Sequence, residues 1–218
     1  MTGALTIAID GPAASGKGTL ARRLAERFDL AYLDTGSLYR AVGRDVLAAG
    51  LDPADAEAAA ACARRLDPAS LADPRLRDEG VARASSVVAA HPPVRAALLD
   101  FQRQFAAHPP GGRCGAVLDG RDIGTVVCPE APLKLYITAS DETRAERRFK
   151  ELSARGENQS FAAVLSDLQA RDARDSARAT APLKPAGDAV MIDTSALDAA
   201  EVFAQVAELV EARLRDLV

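Results

Sequence analysis

Residues 11–19, with the sequence GPAASGKGT, have the types and spacing of a loop that binds phosphate groups. Gly11 and Gly16 permit the backbone angles at which several N–H groups converge on an anion. Lys17 adds a positive charge where the outer phosphates of a nucleotide would lie. Gly18 stands where this motif usually has a magnesium ligand, and the hydroxyl comes one residue later at Thr19, so direct metal ligation stays open. The spacing predicts nucleotide binding.

Such a loop needs a strand before it and a helix behind it to aim its N–H groups at an anion. The apolar run at residues 5–9 and the helical spacing of Leu20, Leu24 and Phe28 predict both elements. A glycine-rich turn that binds nothing is the alternative. It is disfavoured because strand, loop, lysine and helix occur together.

The rest of the chain alternates between apolar strand patterns and helical patterns. Strands are predicted near residues 5–9, 30–33, 115–119, 133–138 and 189–193. Helices are predicted in the alanine-rich segment 52–68, at about 93–107 and along an apolar stripe from Val202 to Leu217. This alternation predicts an α/β fold with a central parallel sheet flanked by helices. His91 and His108 precede prolines and are interpreted as loop positions without a chemical role.

Composition narrows the class of partner. The 218 residues include 27 Lys and Arg against 31 Asp and Glu, a formal net charge of −4, which argues against a broad nucleic-acid surface but allows a local basic cleft. Cys62, Cys114 and Cys128 have no metal-ligand spacing and leave an odd thiol, as is typical of a reducing compartment. Without an apolar segment of membrane length, a cytoplasmic location is predicted.

Two polar clusters follow predicted strands. In LDTGSLYR, residues 33–40, Thr35 and Arg40 come directly after a short strand, and in AVLDGRDIGTVV, residues 116–127, Arg121 and Asp122 do so. Ligands of open α/β sheets bind at the carboxyl ends of the strands, which favours a functional role. The alternatives are helix capping by Thr35 or Ser37, a solvated Arg40 side chain, and a plain Arg121–Asp122 salt bridge.

Two arginine-rich segments have helical spacing. Arg144, Arg147 and Arg148 lie one helical turn apart, and a second set is predicted to share one helical face: Arg171, Arg174, Asp175 and Arg178. Solvated helix faces with internal ion pairs are the alternative. Two such helices in a chain with a phosphate-binding loop favour contacts with phosphates.

Six motifs in this order resemble those of the bacterial cytidylate kinases, the (d)CMP kinases of the nucleoside monophosphate kinase group. The motifs are DGPAASGKGT, LDTGSLYR, ASSVVAAHPPVR, LDGRDIGTVV, APLKLYIT and RDARDSARATAPL, and they span nearly the whole chain. Adenylate kinases are similar at Gly-Lys-Gly-Thr and Thr-Gly but differ at Gly-Arg-Asp-Ile-Gly-Thr. The resemblance implies a single kinase domain of the P-loop NTPase fold over residues 1–218. Its parts would be a core at 1–50, 113–139 and 186–218, an NMP-binding insertion at about 51–112 and a lid at about 140–185.

The resemblance also implies an activity, the ATP-dependent phosphorylation of CMP and dCMP to CDP and dCDP by in-line transfer, with Mg²⁺. The donor phosphates would lie on Gly11, Pro12, Ala13, Ala14, Ser15, Gly16, Lys17, Gly18 and Thr19. The acceptor would be bound by Thr35, Arg40, Ser86, Arg95, Arg121, Asp122, Arg171, Asp175 and Arg178. Within that set Arg40, Arg121 and Arg178 would hold the phosphate, Arg171 and Asp175 the ribose, and Ser86, Arg95 and Asp122 the cytosine. The residues implied to act in catalysis are Lys17, Arg121, Arg178, Arg147 and Arg148.

Some features depart from the family or leave alternatives open. The segment at 52–84 is shorter than in the longer bacterial members and lacks strand alternation, so a helical insertion is expected. Another phosphate-loop kinase, acting on a different nucleoside monophosphate, shikimate or dephospho-coenzyme A, is one alternative, and a nucleotide-dependent switch is the other. The expected partners are small molecules only, with no nucleic acid and no membrane, and the expected state is a monomer.

Overall fold

The structure, a computed structural model, describes residues 5–216, which form two compact units. Within the described residues, the first unit comprises 5–33 and 106–216, and the second comprises Asp34–Phe105. By its internal contacts the second unit begins at Asp34, whereas the insertion was predicted to begin near residue 51. The division into core, insertion and lid stays a prediction.

The sheet has five strands, β1 Leu5–Asp10, β2 Ala31–Asp34, β3 Gly115–Gly120, β4 Leu133–Thr138 and β5 Val190–Asp193. Their order is β2-β3-β1-β4-β5, and β1 lies in parallel between β3 and β4. Every residue of β1 and β3 is buried, as expected for parallel strands covered on both faces. All five strands coincide with predicted segments.

The helices are α1 Lys17–Arg27, α2 Thr35–Ala48, α3 Ala56–Arg64, α4 Glu79–Val88, α5 Pro92–Ala107, α6 Asp141–Ala154, α7 Phe161–Ser176 and α8 Ala199–Asp216. Short 3₁₀ segments cover Pro68–Ala72, Pro74–Arg77 and Pro110–Gly112, and Ile123–Val127 forms a π-helical turn. The predicted α/β class is confirmed. No helix among residues 5–216 combines the length and the apolar character needed to cross a bilayer.

The main core of the first unit joins β1 to two helices. Ile7 and Ile9 of β1 pack with Leu24 of α1 and with Val206 and Val210 of α8 in one buried cluster. The predicted apolar stripe of α8 is therefore confirmed as a packing face, although its last predicted member, Leu217, lies outside the described residues. This packing fixes α1 behind the carboxyl end of β1.

Between Asp34 and Phe105 every regular element is helical, which confirms the predicted helical insertion. The alanine-rich segment forms α3, with Asp55 accepting hydrogen bonds from the first-turn N–H groups of Glu57 and Ala58 at 3.0 Å. His91 lies outside the helices, as predicted, and its Nε2 is 2.9 Å from the carbonyl oxygen of Pro53.

Candidate active site

The phosphate loop, residues 11–19, joins β1 to α1. Gly11 has φ of +149°, and a methyl group there would lie 2.0 Å from the carbonyl oxygen of Ile137 on β4. Gly16 has φ of +89° and directly precedes Lys17, the first residue of α1. The predicted need for glycine is confirmed at both positions. Since Gly16 has no side chain to cap α1, the first N–H groups of the helix are directed at any anion bound in the loop.

The side chains of the phosphate loop are arranged for an anionic ligand. Lys17 is buried, and its Nζ donates to the carbonyl oxygen of Pro12 at 3.0 Å across the loop. The hydroxyl of Ser15 is fully buried and has no hydrogen-bond partner among residues 5–216. A buried hydroxyl without a partner is uncommon and fits a site completed by a ligand.

Asp119, at the end of β3, lies beside the same loop. Its carboxylate is buried and accepts a hydrogen bond from the Tyr32 hydroxyl at 2.8 Å. A methyl group on Gly18 would lie 3.7 Å from Asp119 Oδ2, so the carboxylate is close to the start of α1. No group of three or more His, Cys, Asp or Glu is arranged around a possible metal ion within residues 5–216. Protein carboxylates alone therefore do not form a metal cage there.

Next to the phosphate loop is a cleft of about 430 Å³, which we call the donor cleft. Its walls include Arg147 and Arg148 of α6 and Thr194 after β5. Arg147 donates to the Thr194 hydroxyl at 2.9 Å and to its carbonyl oxygen at 2.7 Å, while Arg148 pairs with Glu151 at 2.9 Å. Thr194 was not among the residues predicted from the sequence, although its place as a polar residue just after a predicted strand could have indicated it.

Arg144 differs from its neighbours on α6. Its side chain is buried and donates to the carbonyl oxygens of Ala13 at 3.2 Å and Ala139 at 3.1 Å. It also pairs with Asp172 of α7 at 2.5 Å. The helical-turn spacing of the three arginines is confirmed, but Arg144 connects the phosphate loop to α6 and α7, whereas Arg147 and Arg148 lie at the donor cleft.

A cluster of arginines surrounds Asp175, which is almost completely buried. Arg121 Nε donates to Asp175 Oδ2 at 3.0 Å, and Arg178 pairs with the other carboxylate oxygen. Burial would raise the pKa of Asp175, but the guanidinium charges of Arg121, Arg178 and Arg171 outweigh it and hold that pKa below its ordinary value. Three cations around one carboxylate leave a net positive charge for an anionic ligand. We call these three arginines and Asp175 the arginine cluster.

One expectation about this cluster is wrong. Arg178 does not share a helical face with Arg171, Arg174 and Asp175, because α7 ends at Ser176 and Ala177 is its C-cap. Arg178 reaches Asp175 from the segment after the helix. The charged residues keep their helical spacing as far as Arg178, although the helix itself ends at Ser176.

Four predicted substrate residues lie in the second unit. Thr35 is the first residue of α2, and Arg40 on the same helix pairs with Asp34 at 2.5 Å. Ser86 on α4 and Arg95 on α5 are both buried. The guanidinium of Arg95 donates to the carbonyl oxygen of Ala89 at 3.2 Å and lies 5.4 Å from the ring centre of Tyr39, a contact that sequence reasoning missed.

The predicted residues of the first unit are held near the carboxyl ends of its strands. Arg121 and the buried Asp122 directly follow β3, whose neighbour β1 leads into the phosphate loop. Phosphate loop and arginine cluster thus extend from adjacent strands of one sheet. The donor cleft lies next to the phosphate loop in this same unit.

Comparison with known proteins gives a consistent result. The family model described as cytidylate kinase matches residues 7–212. A cytidylate kinase from Paramagnetospirillum magneticum is 62% identical over 198 residues, which is 91% of this chain and 93% of that protein. One from Rhodospirillum rubrum is 62% identical over 195 residues, covering 89% of this chain and 92% of that protein. An uncharacterized protein from Eubacterium ventriosum has a similar fold, with a TM-score of 0.53 at 15% identity over 95% of this chain and 98% of its own.

Proposed function

Since the chain belongs to the cytidylate kinase family of phosphotransferases, we propose that it transfers the γ-phosphoryl group of ATP to CMP and dCMP, giving CDP and dCDP. The observation that carries the proposal is that one unit holds two separate groups of side chains suited to bind phosphate. One is the phosphate loop with Lys17, and the other is the arginine cluster, which draws on α7 and on the segments that follow β3 and α7. A kinase for phosphorylated acceptors needs both, whereas a nucleotide switch needs only the first.

For the donor, we propose that residues 11–19 bind the ATP phosphates and that the donor cleft takes the nucleoside. Its volume of about 430 Å³ is within the range of small-molecule sites. Arg147 and Arg148 line that cleft, where their positive charges would neutralise the donor nucleotide and the transferring group. Segment 140–185 would act as a lid that excludes water, the competing acceptor.

Magnesium is the expected companion of ATP. Asp119 fits this ion, because it is a buried carboxylate close to the start of α1 and Mg²⁺ commonly uses one or two carboxylates together with water and substrate phosphates. When bound, the ion would reduce the charge of the donor phosphates. The Tyr32 hydroxyl would orient Asp119 through its 2.8 Å hydrogen bond.

For the acceptor phosphate and ribose, the roles follow the family resemblance. Arg121 and Arg178, with Arg40 of the second unit, would bind the phosphate. Arg171 and Asp175 would contact the ribose, and Thr35 would belong to the same substrate site. The net positive charge around Asp175 supports an anion at the cluster.

Cytosine selection is assigned to Ser86, Arg95 and Asp122. An Asp carboxylate accepts from the N4 amino group of cytosine, while Arg donates to N3 or O2. Uracil has a carbonyl oxygen in place of the N4 amino group and an N–H in place of the N3 acceptor. The carbonyl would face the acceptor oxygens of Asp122, and the N–H would face the donors of Arg95. A buried polar mismatch discriminates far better than a difference in size.

The chemistry needs no general base. An oxygen of the acceptor phosphate is already anionic, so it can attack the γ-phosphorus in line while ADP leaves on the opposite side. Catalysis then consists of positioning the two nucleotides and neutralising their repulsion. Lys17, Arg121, Arg178, Arg147 and Arg148 would supply this positive charge.

The proposed setting is a monomer in the cytoplasm that acts on small molecules and contacts neither nucleic acid nor membrane. The net charge of −4 supports the absence of a broad nucleic-acid surface. Cys62, Cys114 and Cys128 are all free thiols, which is consistent with a reducing compartment.

The test is ADP release from Mg-ATP with a panel of acceptors: CMP, dCMP, UMP, AMP, GMP, dTMP, shikimate, dephospho-coenzyme A and none. Turnover with CMP and dCMP well above all others is expected. Preference for a different acceptor would overturn the cytosine assignment. Hydrolysis that no acceptor accelerates would instead favour a switch.

A further inference from the structure

We infer that Asp10 is a positioning residue that fixes the acceptor-side segment 121–124 to the strand leading into the phosphate loop. Asp10 is the last residue of β1 and directly precedes Gly11. None of the roles assigned above uses this side chain. The inference rests on the proposed function for its kinetic consequences and on geometry for the contact itself.

The carboxylate of Asp10 bonds to two consecutive backbone groups of segment 121–124. Its Oδ1 accepts the N–H of Ile123 at 2.8 Å, and its Oδ2 accepts the N–H of Gly124 at 2.8 Å. Asp10 and both of these partners are buried. Only a carboxylate offers two acceptor oxygens in this geometry, since an amide would turn one N–H₂ donor toward a backbone donor.

The segment held in this way has an unusual backbone. Ile123–Val127 is a π-helical turn. The side chain of Asp122, the residue before it, makes no hydrogen bond that caps this turn. Instead, Asp10 at the end of β1 accepts hydrogen bonds from the first two N–H groups of this turn. π-Helical turns are rare and frequently occur at functional sites. Two residues before Ile123 is Arg121, which pairs with Asp175 in the arginine cluster.

Side chains of Lys134 and Ala186 also pack against this segment. A methyl group on Gly124 would lie 3.2 Å from Lys134 Cδ and 3.5 Å from Ala186 Cβ. Lys134 is in turn held by Asp188 at 2.8 Å. We therefore expect the two hydrogen bonds to Asp10 to hold Arg121 and Asp122 in position, together with this packing and the Arg121–Asp175 ion pair.

Burial of Asp10 raises its pKa to about 6, against the opposing effect of the two backbone N–H groups. The charged side chain of Asp122 adds to the rise and that of Arg121 opposes it. Tyr136 of β4 is also close enough to interact, since its pKa is raised by burial and by the charge of Asp10. A protonated Asp10 would present an O–H to one of the two N–H donors. Positioning of the segment should weaken as the pH falls through about 6.

The test compares Asp10→Asn with Glu208→Gln, an exposed carboxylate on α8 outside the lid and the donor cleft that serves as the control. At pH 7.5 we expect Asp10→Asn to lower kcat/KM for CMP at least tenfold, with a change of less than twofold in the KM for ATP and no fall in Tm. The ratio of variant to wild-type kcat/KM should rise toward one below pH 6, and this ratio cancels the titration of CMP itself. An unchanged kcat/KM for CMP would overturn the inference. So would a lower Tm together with equal falls in the kcat/KM values for ATP and for CMP.

Hydrogen exchange of the wild-type protein gives a readout that needs no turnover. The Ile123 and Gly124 amides should lose protection, after correction for the intrinsic rate, as the pH falls through about 6. In Asp10→Asn they should exchange faster than in the wild type above about pH 6 and at similar rates below it. Protection independent of both pH and the substitution would contradict the inference. If CMP is not phosphorylated but this protection pattern is present, the proposed function fails while the positioning role stands.

Discussion

Substitution of Lys17 should affect phosphoryl transfer from the donor without affecting the binding of the acceptor. The Lys17 ammonium is held across the phosphate loop by Pro12, on the donor side of the proposed reaction. Lys17→Ala should lower kcat by about 10²–10³-fold, the usual effect of removing one charge-stabilising group, while the Kd for CMP changes little. Steady-state kinetics and calorimetry with CMP measure the two quantities.

Arg215→Ala is the control, because Arg215 is an exposed cation on α8, outside the proposed lid and the donor cleft. It should retain wild-type turnover. Retained turnover in Lys17→Ala would contradict the assignment of the phosphate loop.

Asp122 tests base selection at the same scale. An amide at this position could donate to O4 of uracil but could also oppose the N4 amino group of cytosine. Asp122→Asn should therefore raise the ratio of UMP to CMP kcat/KM about tenfold to a hundredfold, corresponding to about 1–3 kcal/mol per mismatched contact. An unchanged ratio in Asp122→Asn would remove Asp122 from the cytosine site. Glu208→Gln is the control, in which the ratio should equal that of the wild type.

Among the elements, α2 and α4 approach closely at Gly43. A methyl group there would lie 3.0 Å from the backbone nitrogen of Ser85 and 3.2 Å from Ala84 Cβ. Backbone atoms of a packed helix yield little, so we expect Gly43→Ala to lower the free energy of unfolding by about 1–2 kcal/mol despite its better helix propensity. The shift of α4 should also raise the KM for CMP, because Ser86 follows Ser85.

Gly80→Ala provides the opposite case on α4. An added methyl group at Gly80 meets no atom within 4 Å, so the gain in helix propensity should raise stability by about 0.5–1 kcal/mol. Urea unfolding of both variants measures the two effects. Equal stabilisation by both substitutions would contradict the close packing of α2 on α4.

Local sequence patterns were sufficient to predict the strands, the phosphate loop and the helical second unit. Apolar runs, glycine positions and alanine propensity act within a few residues, so they can be recognised along the chain. The end of α7 before Arg178 could not be predicted in this way, because the helical charge spacing continues past Ser176. The roles of Arg144 and Thr194 depend on contacts with Ala13 and Ser15 across more than a hundred residues. Such contacts leave no periodic signal.

At the scale of the whole molecule, Asp10 links pH to stability. Its pKa is about 6 in the folded protein and near 4 when the chain is unfolded, so the folded state holds the proton more tightly between these values. The stability contributed by the protonated group is fully present below about pH 4 and is lost as the pH rises through about 6.

Asp10→Asn lacks this titration. Its free energy of unfolding relative to wild type should increase by up to about 3 kcal/mol from pH 4 to pH 7, since each pKa unit corresponds to about 1.4 kcal/mol. Urea unfolding of both proteins at both pH values measures this change, because carboxylates that do not interact with Asp10 contribute equally to the two proteins. A difference that does not vary with pH would contradict the raised pKa.

The central proposal for the molecule is that a phosphoryl group is transferred from ATP at the phosphate loop to CMP at the arginine cluster. The most direct measurement follows the label from [γ-³²P]ATP in the presence of Mg²⁺ and CMP and separates the products. Label in the β-phosphate of CDP, formed about 10²–10³-fold more slowly by Lys17→Ala and at the wild-type rate by Arg215→Ala, is the predicted result. Label released only as inorganic phosphate, at a rate that CMP does not change, would contradict the account.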